Sequence, residues 1–294
     1  MDKIFSKVTF IDQLLKGVGQ IMLQENRWTG LLFLVGLFIG SWQYAVAAAL
    51  AAAAGTVIAK LFKYNQLEID AGLYGFSPAL VGVVLVFLFE DIFLIWMLVI
   101  VGGALAAMIQ HFSIVKKIPA YTFPFILVAW AFIFFIRQFT EIQPSELLQI
   151  KFIPTQYDSF LAPTNGFGEV IFQASALSGI IFFIAVFINN PIAALYSLAA
   201  SLLGVGLSLM NGQPIEQINL GLFGFNAVLT AIVFAGTKKT DGLWVLAGVI
   251  ITIVIHNLLI DYHVLDIVGG VLTFPFVAGT WVTLLIQKVL VKKN

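Results

Sequence analysis

Long apolar runs alternate with short polar stretches along most of this chain, and their lengths point to helices that cross a membrane. A bilayer core takes about 20 apolar residues of helix. In the first half, runs over 29–42, 44–62, 72–89, 92–112 and 121–139 predict five spans. Five more follow over 170–187, 192–210, 220–236, 243–256 and 264–289. Between the two sets lies a polar stretch, 140–165, carrying Pro144, Pro154 and Pro163, which reads as a linker. At the N-terminus, Ile4, Val8, Ile11, Leu15 and Val18 recur at helical spacing with Lys3, Lys7, Asp12 and Lys16 between them. That pattern predicts an amphipathic helix over 1–16, either lying in the membrane interface or packed on a neighbouring subunit.

Composition sharpens this picture. Of the 294 residues 61% are hydrophobic and 10% charged, against about 25% charged in soluble domains. So apolar a chain would not stay in water. The 15 basic and 15 acidic residues balance, which leaves no cationic surface for nucleic acid. With no cysteine, disulfides, thiolate metal sites and thiol catalysis are excluded. The N-terminal residues show no continuous apolar run of the signal-peptide kind and are expected to be retained. No metalloprotease, phosphate-loop or Ser–His–Asp pattern stands in a credible setting, so neither an enzyme nor a cofactor is expected.

The halves repeat one another. Gly17, Gly19, Gln24 and Gly30 recur 149 residues later as Gly166, Gly168, Gln173 and Gly179. The run Gly72-Leu73-Tyr74-Gly75-Phe76 returns at the same offset as Gly221-Leu222-Phe223-Gly224-Phe225. Thr122-Phe123-Pro124-Phe125 returns as Thr273-Phe274-Pro275-Phe276, now 151 residues on. Five spans per copy is an odd number, so the second copy is expected to be inverted relative to the first. Basic residues test that map independently: 13 fall on one side and only Arg137 and Lys151 on the other. By the positive-inside rule both termini face the cytoplasm. The expected fold is therefore an all-α polytopic membrane protein. It has a first repeat over 17–139, a linker over 140–165 and an inverted repeat over 166–294, each repeat with five transmembrane helices and a short re-entrant half-helix.

Polar groups are costly in a membrane, and the few present draw attention. Glu169 precedes the run Val170-Ile171-Phe172, and Gln20 is its counterpart in the first copy. Either the pair lines a site, or both residues merely begin helices at the membrane surface, where Glu suits the helix N-terminus. The half-helices are expected over 20–26 and 169–173. In each Thr-Phe-Pro-Phe run, a proline inside a helix would free a carbonyl of the preceding turn beside Thr122 or Thr273. Such a kink serves packing or lines a passage with oxygen acceptors. Phe76 and Leu80, like Phe225 and Leu229, are four apart and share a helix face, fit for a narrow slot or for ordinary packing. His111, His256 and His263 fall near predicted helix ends and read as interfacial.

At these residues the chain resembles the urea transporter family, over about Gly17 to Leu290. The family signature Leu-Pro-x-x-Thr-x-Pro-Phe is matched by Ile118 to Phe125 and by Gly269 to Phe276, the second copy lacking the first proline. The Gly-Leu-x-Gly-Phe/Tyr-Asn element is intact from Gly221 to Asn226, while the first copy has Ser77 in place of Asn. The resemblance implies passive urea conduction in a homotrimer within the cell membrane, with one pore in each protomer. It implies half-helices that start at Gln20 and Glu169, slots of Phe76, Leu80, Phe225 and Leu229, and Phe172 beside Val170 with Leu23 as its first-copy counterpart. It also implies that Thr122 and Thr273 accept hydrogen bonds from the permeant. The chain departs from the family pattern at Leu23, Ser77, Pro78 and Gly270. Two other readings stand beside it: an ion-coupled secondary transporter, which needs an intramembrane carboxylate such as Glu169, and a pore for ammonia or a short amide.

Overall fold

A computed structural model describes residues 9–146, 158–173 and 175–291. The chain forms two compact units, 1–151 and 152–294. In the first, the helices are α1 (Phe10–Gly19), α2 (Arg27–Gly40), α3 (Trp42–Leu61), α4 (Gln66–Asp70), α5 (Phe76–Leu88), α6 (Phe93–Val115) and α7 (Phe123–Phe139). In the second they are α8 (Asp158–Glu169), α9 (Ala176–Asn189), α10 (Pro191–Met210), α11 (Ile215–Asn219), α12 (Phe225–Phe234), α13 (Lys239–Asp261) and α14 (Phe274–Val291).

Local chemistry sets where these helices begin. Asn26 caps α2, its Oδ1 accepting from the Trp28 and Thr29 amides at 2.8 and 3.2 Å. Ser41 caps α3 through the Gln43 amide. Asn190 caps α10 at the Ala193 amide, 3.0 Å away, with Pro191 in the first helical turn. Such caps satisfy first-turn amides that have no partner within the helix.

Each unit is built around one short helix. In the first, α5 is buried without a break from Phe76 to Val86, with α3, α6 and α7 packed on it. In the second, α12 plays the same part for α10, α13 and α14. The surrounding helices keep apolar residues outward: Phe93, Met97, Ile100, Met108 and Phe112 of α6 are exposed. A surface of that kind suits hydrocarbon and not water. Among the described residues α3, α6, α10 and α13 are long and apolar enough to span a membrane; α2, α5, α7, α9, α12 and α14 are apolar but shorter. Those ten helices fall within, or overlap, the ten runs expected from the sequence.

Element bounds recur between the units. The helix pairs α2/α9, α3/α10 and α4/α11 match at both ends at an offset of 149, and α5/α12 match at their first residues. Helix α12 is 10 residues long against 13 for α5, which brings the starts of α6 and α13 to an offset of 146. The connection from α13 to α14 is then longer, taking in a 3-10 turn at Asp266–Val268 and Gly269 and Gly270. It carries Phe123 and Phe274 to an offset of 151. A deletion within the central helix and an insertion after the next account for the two offsets in the sequence.

Several elements differ from expectation. The amphipathic pattern at the N-terminus forms α1, whose Asp12, Gln13, Gly17 and Val18 are buried within its own unit; residues 1–8 lie outside the described residues. Its polar groups have internal partners: Arg27 meets Asp12 at 3.4 Å, and Gln13 Nε2 donates to Asp70 at 2.6 Å. In the stretch expected as linker, α8 already starts at Asp158 and accommodates Pro163 inside the helix. Finally, 72–75 and 264–273 are turns and not helix, so α5 and α14 begin late. Gly72, at φ +79°, supplies the backbone reversal before α5.

Close approach of α1 to α2 depends on Gly30, where any Cβ would overlap the Leu15 carbonyl oxygen; Gly179 stands in the same way against Thr164. Backbone on both sides leaves no room to adjust. Gly30→Ala is therefore expected to cost about 1–3 kcal/mol, the usual price of overpacking, and to lower the thermal unfolding midpoint in detergent. An unchanged melting profile, followed by tryptophan fluorescence, would show that α1 does not seat on α2 in this way.

Candidate functional site

In both units a half-length helix ends in the same turn. After α1, the Gln24 amide donates to Gly19 O at 3.1 Å and the Leu23 amide to Gln20 O at 2.9 Å. After α8, Gln173 donates to Gly168 O at 3.0 Å and Phe172 to Glu169 O at 3.2 Å. This is the helix-ending arrangement whose left-handed position is usually glycine. Here it is Leu23 at φ +56° and Phe172 at φ +58°. A side chain there costs roughly 1–2 kcal/mol, and strain retained at matching places points to a use for the side chain.

Gln20 and Glu169 thus end their helices instead of starting them. Helix α8 occupies a Pro-, Asn- and Gly-containing stretch whose composition conceals it. The surface-cap alternative for Glu169 falls with this finding, because a carboxylate is disfavoured at a helix C-terminus. Gln20 Nε2 donates to Ala71 O at 3.0 Å, fastening the turn to the segment before α5.

The slot residues head the central helices. Phe76 and Phe225 open α5 and α12 and are 7% and 8% exposed, with Leu80 and Leu229 fully buried one turn on. In the first unit the turn holding Gln20 packs on α5, as does α7. In the second, α12 touches both α8 and α14. Each unit thus packs its half-length helix or the turn that ends it, and the helix that follows its threonine, on the central helix headed by the Phe–Leu pair.

Thr122 and Thr273 are both buried and immediately precede α7 and α14. Pro124 and Pro275 are second residues of those helices. At that position a missing amide is no loss, so the prolines start helices and kink none. Tyr121 and Leu272, just before the threonines, are again left-handed, at φ +48° and +47°.

The histidines divide. His263 is exposed and pairs with Asp266 at 2.8 Å. His111 stacks on Tyr64 with ring centroids 3.5 Å apart, and its Nδ1 lies 3.0 Å from the Tyr74 hydroxyl, which also bonds Glu68. His256, expected at the interface, is instead 2% exposed. It lies 3.0 Å from Asn226 Nδ2 and is flanked by the Phe223 and Phe225 rings. An apolar helix with no polar face hides which of its sides is inward. The intact Asn of the second Gly-Leu-x-Gly-Phe-Asn run was the available signal. Among the described residues no group of three or more His, Asp or Glu is arranged to hold a metal ion.

Apolar helices around a buried central helix define a polytopic membrane protein. The family model described as urea transporter matches residues 11–288, and the chain belongs to the urea transporter family. Urea transporter 1 of Mus musculus is 27% identical over 242 residues, 77% of this chain and 63% of that protein. Urea transporter 1 of Rattus norvegicus is 26% identical over the same shares. Urea transporter 1 of Ovis aries is 27% identical over 298 residues, 94% of this chain and 77% of that protein. The chain therefore spans somewhat under two thirds of the mouse and rat relatives it matches.

The left-handed turn yields a direct test. Leu23→Gly is expected to hold stability within about 1 kcal/mol, relief of the backbone offsetting the lost side chain. Leu23→Val is expected to destabilise by about 1–2 kcal/mol, since a branched Cβ resists this conformation. Thermal melts in which valine proves the better tolerated would contradict the turn.

Proposed function

We propose that this chain is a passive channel for urea, with one pore per protomer of a homotrimer in the cell membrane. Its two repeats lie inverted in the bilayer with half-helices re-entrant and both termini cytoplasmic. The observation that carries the reading is the recurrence in both units of three devices around a central helix. These are a left-handed turn bearing Leu23 or Phe172, a Phe–Leu pair heading the helix, and a buried threonine at a helix start. Family membership and the names of the relatives support urea as the solute.

Urea is flat, small and uncharged, with amino hydrogens along its edge. Rings of Phe76 and Phe225, with Leu80 and Leu229, suit its faces. Leu23 and Phe172 narrow the approaches. Its edge needs acceptors in place of water, because each unsatisfied polar group costs about 1–3 kcal/mol. Thr122 and Thr273 supply them, with Gln20 at one end and Glu169 beside Val170 at the other. An ion would forfeit far more hydration than such a slot returns.

Stopped-flow light scattering on liposomes holding the purified protein tests conduction. A rate no faster than empty vesicles would reject it, and a requirement for a proton or sodium gradient would favour the ion-coupled transporter. Thr122→Val and Thr273→Val are each expected to slow urea by about tenfold, the worth of some 1.4 kcal/mol in the barrier. Unchanged flux in both would remove the threonines from the pathway.

Orientation has its own test, since the chain has no cysteine. A single cysteine at Lys116 or Lys238 is expected to react with an impermeant maleimide from the cytoplasmic side alone, and one at Arg137 from the other side. Labelling of all three from one side would overturn the inverted map.

A further inference from the structure

In the second unit the Asn226 side chain joins three helices. It follows Phe225 at the head of α12 and is 1% exposed. Its Nδ2 lies 3.0 Å from His256 Nδ1 on α13 and donates to Leu272 O at 3.2 Å. Its Oδ1 accepts from the Phe276 amide at 3.1 Å. That amide belongs to the first turn of α14 and can only donate, which fixes the amide orientation and leaves His256 Nδ1 as acceptor. Both amino hydrogens and the carbonyl are thereby used. The bonds to Leu272 and Phe276 grip the backbone on either side of Thr273. His256 in turn meets the Phe225 ring edge-on, at 5.7 Å between centroids and 76° between planes.

The first unit lacks this arrangement. By the offsets of the fold, Ser77 stands where Asn226 does and Gln110 where His256 does. Ser77 Oγ and Gln110 Oε1 are both buried with no hydrogen-bond partner among the described residues. Serine is too short to replace the amide, and two groups that correspond to a bonded pair remain apart. The Asn226–His256 pair of the second unit thus has no bonded counterpart at Ser77 and Gln110 in the first.

We infer that Asn226 is a positioning residue that holds the Phe225 ring and the Thr273 hydroxyl in fixed register, so that the second unit sets the size discrimination of the channel. This rests on the proposed urea conduction. The bonds act in a water-poor interior, where a satisfied polar group holds its neighbours firmly and an orphaned one does not. Loss of the clamp lets ring and hydroxyl drift, which admits bulkier solutes and weakens replacement of the water lost by urea.

The test compares permeabilities to urea and N-methylurea in proteoliposomes for the native chain, Asn226→Ser and Ser77→Ala. Asn226→Ser, which introduces the first-unit residue, is expected to lower the urea to N-methylurea ratio by about three- to tenfold, the worth of one net hydrogen bond or somewhat more. Ser77→Ala removes no bond and is expected to leave the ratio as it was. A variant that only reduces the folded fraction slows both solutes equally and leaves the ratio unchanged. That result for Asn226→Ser overturns the inference, as does an equal shift from Ser77→Ala. Should Asn226→Ser fail to fold, His256→Leu, which removes one bond and spares those at Leu272 and Phe276, is expected to shift the ratio the same way by a smaller factor; no shift overturns the inference. A native chain no faster than empty vesicles overturns the urea reading, and the role of Asn226 with it.

Discussion

Every backbone amide and carbonyl inside a membrane must find a partner in the protein, and the architecture of this chain follows from that requirement. Continuous helix meets it without help. Wherever the helix stops, some other group must serve. The chain stops in a few defined places, at the ends of α1 and α8 and before α5, α7, α12 and α14, and each is closed by backbone bonds or a polar side chain. The residues proposed to line the urea pathway stand at these breaks.

The left-handed turns show the trade most plainly. Glycine would end α1 and α8 with less strain, and glycine does occupy other reversals, as at Gly72 and Gly221. At Leu23 and Phe172 a large apolar side chain is held instead, in both units and in the same hydrogen-bond frame. Lys63, Lys117 and His263 are also left-handed, but all three follow long helices and carry polar side chains, whereas the apolar Leu23 is partly exposed. Strain becomes informative when it coincides with an apolar side chain for which stability offers no reason.

Much of this was legible in the sequence, because apolar periodicity and a repeated motif register the same physics that builds the helices. Ten runs marked ten helices, and Phe76, Phe225, Thr122 and Thr273 were found as the places where repetition and chemistry coincide. Boundaries were not legible where one residue serves two states. Proline breaks a helix from within and begins one from its first turn, so Pro124 and Pro275, read from the sequence as kinks inside helices, stand instead at helix starts. Glu169 was misplaced for the opposite reason: α8 is rich in turn formers, and packing against its own unit keeps it helical. His256 was misplaced at the interface because α13 is apolar all round and periodicity cannot tell its inner side.

Duplication explains why partial repeats are more informative than perfect ones. The copies diverge by a shortened central helix and a lengthened connection before α14, yet both Phe–Leu pairs and both threonines keep their places on their elements. Positions that tolerate such shifts around them without changing type are held by something other than the local fold. Ser77 and Asn226 are the converse, equivalent places that have parted in chemistry. The surroundings parted with them: Gln110 Oε1 and His256 Nε2 are each buried without a partner among the described residues, while His256 Nδ1 lies 3.0 Å from Asn226. A buried amide that loses its counterpart costs more than a pair removed together, and the first unit carries such a cost at both Ser77 and Gln110.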